Sequence, residues 1–128
     1  MNKKFLFGLL SLALLSMLLG ACKIVDASTL PKAVEVQMGS SQFIQQEVTI
    51  KKGESLNLVN ASSTSHVIAN GQWVNGVQEK KAETGAPTVN DVNVAGSASL
   101  TVGPFATAGD YLIYCPVHPG MNLIVHVK

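Results

Sequence analysis

The chain predicts an all-β fold, a Greek-key β-sandwich of about seven or eight strands, from three features of the sequence. Apolar and polar residues alternate at period two in one short run after another. Beyond the N-terminal segment no stretch carries a helical period. Glycine and proline fall between the runs, where a sheet must turn.

Taken in order, the first segment stands outside that fold. Lys3 and Lys4 precede Phe5 to Leu19, an almost unbroken apolar run, and Leu19-Gly20-Ala21 places small residues just before Cys22. A basic start, an apolar stretch of about fifteen residues and a small-residue end are the three zones of a secretory signal over residues 1–21. The junction resembles the lipobox of bacterial lipoproteins. That resemblance implies that Cys22 is lipidated, becomes the first mature residue and anchors the chain to a membrane. The competing reading, an uncleaved membrane helix, asks for about twenty apolar residues and gives small residues before a cysteine no purpose. Residues 22–33 then form a polar, aperiodic tether, whose Lys23 to Pro31 stretch reaches at most about 30 Å at about 3.5 Å per residue. The implied location is exported, at the periplasmic or extracellular face, as a membrane-anchored lipoprotein.

The domain proper is expected over residues 34–128. Val34, Val36 and Met38 alternate with Glu35 and Gln37. Val48 and Ile50 alternate with Glu47, Thr49 and Lys51, and Leu56 and Leu58 flank Asn57. Val67-Ile68-Ala69 is strand-like behind His66. Val92 and Val94, Leu100 and Val102, then Tyr111, Ile113 and Cys115, and finally Leu123, Val125 and Val127 repeat the pattern. Turns are expected at Lys52-Gly53-Glu54, Ala95-Gly96, Val102-Gly103-Pro104 and Ala108-Gly109-Asp110. Met38 shares the core parity of its strand. His126 has the parity opposite to Leu123, Val125 and Val127 and is expected in solvent. Only Asn75 to Asn90, with Glu79, Lys80, Lys81 and Glu83, lacks apolar alternation. It is expected to be a solvated surface loop with room for one helical turn, a lid over a site being the alternative.

Composition excludes several functions. The formal net charge is +1, charged residues make up 13% of the chain, and there is no arginine. No basic patch or guanidinium fork is available, so no nucleic-acid partner is expected. After removal of the signal, seven lysines face eight acids. With Cys22 lipidated, Cys115 is the one remaining thiol, and an unpaired cysteine in an exported protein points first to metal ligation.

Tyr114-Cys115-Pro116-Val117-His118-Pro119-Gly120-Met121 gathers a thiol, an imidazole and a thioether in one strand-to-strand loop. A trigonal His, His, Cys set with a weak axial Met marks electron-transfer copper sites, and His66 can supply the second imidazole across the sandwich. Alone, His66 would read as a packing residue and Cys115 as an inert core thiol. Together these residues carry a resemblance to the cupredoxins, the type 1 blue copper proteins. The Cys-x-x-His-x-x-Met spacing is similar to that of the amicyanin branch, and Gly109-Asp110-Tyr111 ahead of Cys115 resembles the family's approach to its copper cysteine. The resemblance implies one copper ion cycling between Cu(II) and Cu(I). It implies His66, Cys115 and His118 as in-plane ligands and Met121 as the axial one, a place that a backbone oxygen could also fill. It further implies an electron port at His118, redox protein partners docking near it, a tyrosine corner at Tyr111 and no small-molecule substrate.

One position departs from that pattern. Many cupredoxins carry Asn directly after the first His, tying its loop to the cysteine loop, whereas Val67 stands here. The backbone N–H groups of Val67 and Val117 are both available to the Cys115 sulfur, so two sulfur hydrogen bonds are possible. Counting ligands disfavours an enzyme: a binuclear copper centre needs two bridging cysteines, catalytic copper needs further histidines, and the chain has three in all. A copper-storage or copper-delivery lipoprotein using the same ligands is the alternative to electron transfer.

Overall fold

The computed structural model of the protein describes residues 33–128. The expected signal at 1–21, the Cys22 anchor and the tether as far as residue 32 lie outside the described residues. Nine strands follow in chain order: β1 (Ala33–Met38), β2 (Glu47–Ile50), β3 (Ser55–Asn60), β4 (His66–Val74), β5 (Val77–Lys80), β6 (Val92–Val94), β7 (Ser99–Val102), β8 (Gly109–Tyr114) and β9 (Asn122–Val127). A three-stranded sheet has the order β1-β3-β7, with β1 parallel and β7 antiparallel to β3. The second sheet runs β2-β9-β8-β4-β5, with β2 parallel to β9 and β6 joined to β4.

The alternation seen in the sequence decides which face of each strand is covered. Val36 and Met38 of β1, Leu56 and Leu58 of β3 and Val102 of β7 share one buried cluster with Ile68, Tyr111, Ile113, Leu123, Val125 and Val127 of the other sheet. Full burial of an aliphatic side chain contributes roughly 1.5–3 kcal/mol, and a slip of one residue would turn each set into water. Tyr111 is buried and its hydroxyl donates to the Thr107 carbonyl at 2.8 Å, the tyrosine corner that the sequence suggested. His126 is on the outer face of β9 as its parity required. It is not simply solvated: its Nδ1 lies 2.7 Å from Asp110 Oδ1 on β8.

The segment Asn75 to Asn90 differs from expectation. It contains β5, which is exposed along its whole length and pairs with Gly71–Val74 of β4. With neither face buried, nothing in its side chains needed to alternate, and only backbone pairing defines it. Gly71 makes the pairing possible. Its φ is +130°, and a Cβ there would run into the Glu79 carbonyl oxygen. Further along, Asn70 receives the Val89 N–H on its side-chain oxygen at 2.6 Å and donates to Pro87 O at 3.1 Å, so the return of the segment is fastened to β4.

Candidate metal centre

Two loops at one end of the sandwich bring the donors together. The first leads from β3 into β4. Asn60 continues the inward parity of Leu56 and Leu58 and is almost fully buried, at 1% exposure. Its side chain holds the loop from inside: Nδ2 donates to Thr64 O at 2.7 Å and Ala95 O at 2.9 Å, while Oδ1 accepts from Ser62 N at 3.1 Å and Ser62 Oγ at 2.9 Å. The turn at Gly96 closes on the same loop, since a Cβ at Gly96 would lie 2.6 Å from Ser63 O. His66, the first residue of β4, is thereby placed at the edge of the core with no solvent exposure.

The tautomer of His66 follows from its surroundings. Its Nε2 lies 2.9 Å from the Gly39 carbonyl oxygen, which can only accept, so Nε2 carries the proton and Nδ1 presents a lone pair. That Nδ1 is buried and has no hydrogen-bond partner. Burial holds the His66 pKa below the usual histidine value. The bond to Gly39 opposes that shift, and the neighbouring His118 adds to it.

The second loop joins β8 to β9 and is wound on itself. Cys115 N–H donates to Met121 O at 3.0 Å, His118 N–H to Cys115 O at 3.3 Å, and Met121 N–H to His118 O at 3.1 Å. This winding leaves Cys115 and Met121 buried and His118 half-buried. His118 Nδ1 lies 3.2 Å from Cys115 Sγ, and the rings of His66 and His118 have centroids 4.8 Å apart. One donor atom from each of His66, Cys115 and His118 falls within 4.8 Å of the other two. Met121 is in the buried cluster with Cys115. The four residues singled out in the sequence thus occupy one end of the sandwich.

A buried imidazole nitrogen without a partner would ordinarily be unfavourable by about 1–3 kcal/mol. A metal ion among these donors removes that penalty. The donor set of one thiolate sulfur and two neutral imidazoles suits copper in both oxidation states. Of the two backbone bonds to Cys115 Sγ that the sequence left open, from Val67 and Val117 N–H, neither is made among the described residues; the sulfur's one partner there is His118 Nδ1.

Several residues that shape the site were not singled out in the sequence. Asn60 had a signal, a polar side chain at an inward position of a strand. Gly39 contributes only its backbone oxygen. Trp73 Nε1 donates to Cys115 O at 2.9 Å, and the Trp73 ring meets Tyr114 edge-on at a centroid distance of 6.4 Å. Nothing in the local sequence marks that contact.

Known proteins bear on this arrangement. No curated protein matches the chain. Among solved structures, amicyanin from Paracoccus versutus is similar at 27% identity and a TM-score of 0.58, over 81% of this chain and 90% of that one. The reduced form of an amicyanin variant is similar at 19% identity and a TM-score of 0.57, over 75% and 82%. A copper-containing nitrite reductase from Thermus scotoductus shares the fold at 23% identity and a TM-score of 0.56, over 77% of this chain but 23% of its own length. The model of the copper-binding proteins of the plastocyanin/azurin family matches residues 31–128. An all-β sandwich with a thiol and two imidazoles converging at one end, matched by that model over its full described length, belongs to the plastocyanin/azurin family of copper-binding proteins.

Proposed function

We propose that the protein is a single-electron carrier built on one type 1 copper, which His66 Nδ1, Cys115 Sγ and His118 Nδ1 would hold, with the Met121 thioether as a weaker fourth donor. The observation that carries this reading is the buried, unpartnered Nδ1 of His66, on a residue that offers a donor atom within 4.8 Å of those of Cys115 and His118. Bound copper would supply one-electron chemistry between Cu(II) and Cu(I). The protein's part is to hold the donors still. Asn60 and Gly39 fix His66, and the loop's own hydrogen bonds fix Cys115 relative to Met121, so a change of metal charge requires little rearrangement of the chain. The buried faces of Cys115 and Met121 keep water from the sulfur donors. Half-buried His118, with Val117 55% exposed beside it, supports docking of redox protein partners at this end of the molecule.

The reading is non-enzymatic. His126, the one histidine outside the site, is occupied with Asp110, which leaves no imidazole for a second, catalytic copper. The Cys22 lipid anchor and signal segment belong to the same proposal, which places the domain outside the cytoplasmic membrane as an exported lipoprotein.

Addition of Cu(II) to the purified domain tests the function. One copper per chain, an intense visible band that Cys115→Ala abolishes, and reversible reduction are expected. A colourless product overturns the type 1 assignment, and rapid surrender of the copper to a mild chelator would mark a delivery protein instead. Mass analysis of the protein from its host should find a diacylglyceryl group on Cys22. An intact chain of 128 residues would overturn the lipoprotein reading.

A further inference from the structure

The hydrogen bonds within residues 115–121 give the loop its shape but do not fasten it to the sandwich. Fastening comes from the β4–β5 hairpin. Trp73 Nε1 donates to Cys115 O at 2.9 Å, Gln78 Nε2 donates to Pro116 O at 3.1 Å, and Tyr114 OH donates to Gln78 Oε1 at 3.4 Å. At the far end of the loop Asn122 exchanges two bonds with the backbone of Trp73, accepting its N–H at 2.7 Å and donating to its carbonyl at 2.9 Å. The hairpin therefore grips both the entry and the exit of the donor loop.

We propose that Trp73 and Gln78 are positioning residues, a clamp through which the β4–β5 hairpin sets Cys115 and the residues after it against His66. The inference rests on the copper reading above. Two observations carry it. His66 and Trp73 belong to the same strand, so β4 holds one donor outright and holds the backbone of another through an indole N–H. The residue beside His66 is Val67, whose side chain has no polar group with which to cross-link the two loops. A loop that is gripped at both ends offers its donors in one arrangement before metal arrives, which is how surrounding hydrogen bonds tune a metal site.

The test begins with the apo-protein. In Trp73→Phe, amide exchange at Cys115, His118 and Met121 should accelerate about five- to tenfold, the ratio expected for loss of one neutral hydrogen bond. Exchange at Tyr111 and Leu123, in the strands on either side, should stay as in the wild type. Gln78→Met, an exposed change that leaves the core untouched, should give a smaller acceleration at the same three amides and serves if Trp73→Phe fails to fold. Gln72→Ala, in the same hairpin but bonded only to Glu79, should match the wild type. After copper loading, Trp73→Phe and Gln78→Met should shift the visible band and the potential, and Gln72→Ala should shift neither. Acceleration spread evenly over the domain would overturn the clamp, since Trp73 would then only stabilise the fold. Unchanged loop exchange with an unchanged band would overturn it as well. If the wild type takes up no copper, the function falls, while the apo exchange still decides whether the hairpin holds the loop.

Discussion

Replacing Asn60 with Leu would test how firmly the first donor loop depends on one buried amide. The side chains are similar in size, so the change removes hydrogen bonds with little change in packing. Thr64 O, Ala95 O, Ser62 N–H and Ser62 Oγ each lose a partner. At about 1 kcal/mol net for each bond the loss approaches about 4 kcal/mol. Ser62 and Thr64 are only half-buried and Ala95 is exposed, so water recovers part of it, leaving about 2–3 kcal/mol. Urea denaturation of the apo-protein should show this as a lower midpoint at unchanged slope, and thermal melting should fall by about 10–20 °C for a domain of this size. A loss below about 0.5 kcal/mol, within the range of an ordinary surface substitution, would refute the reasoning. It would mean that the Ser62–Ser65 loop holds its shape without Asn60.

Three further outcomes are expected. Gly71→Ala should destabilise the apo-protein by about 2–4 kcal/mol in chemical denaturation, because alanine must both accept a positive φ and displace the Glu79 carbonyl. Met121→Leu, nearly conserving volume, should lower apo stability by less than about 1.5 kcal/mol, keep the copper and raise the potential measured by voltammetry; Met121→Gln should lower the potential. If neither moves the potential, Met121 is packing alone. Burial lowers the pKa of His66 in the fold, so below about pH 6.5 the unfolded chain takes up a proton that the native state resists. Stability of the apo-protein should therefore fall as pH drops through the ordinary histidine value, a loss that His66→Gln removes when both are melted across that range.

Legibility in the sequence follows burial. Strands with one covered face, such as β1 (Ala33–Met38) and β9 (Asn122–Val127), show their parity because the core demands it. The donor loop is legible for another reason: three metal-binding side chains within seven residues have no common structural use. By contrast β5 is exposed on both faces and carries no pattern. Trp73 reaches Cys115 through a carbonyl 42 positions away, a contact set by the path of the backbone rather than by any nearby residue. The same limit applies to Gly39, whose contribution is a peptide oxygen that any residue would have supplied.

The place of β9 between β2 and β8 has a consequence for how the protein reaches its native state. Glu47 pairs in parallel with Ile124, so this contact forms only after a very long stretch of chain is closed into a loop. Such topologies fold on the slow side, over milliseconds to seconds. During that interval Cys115, His118 and Met121 are already neighbours along the chain, while His66 arrives only when β4 joins β8. A soft metal ion can therefore meet three donors on an unfolded chain but all four only in the finished sandwich. The difference in affinity between those two states is free energy that copper contributes to folding. Copper present during folding would thus favour the closed sheet, and copper withheld would leave a chain that folds on its hydrophobic core alone.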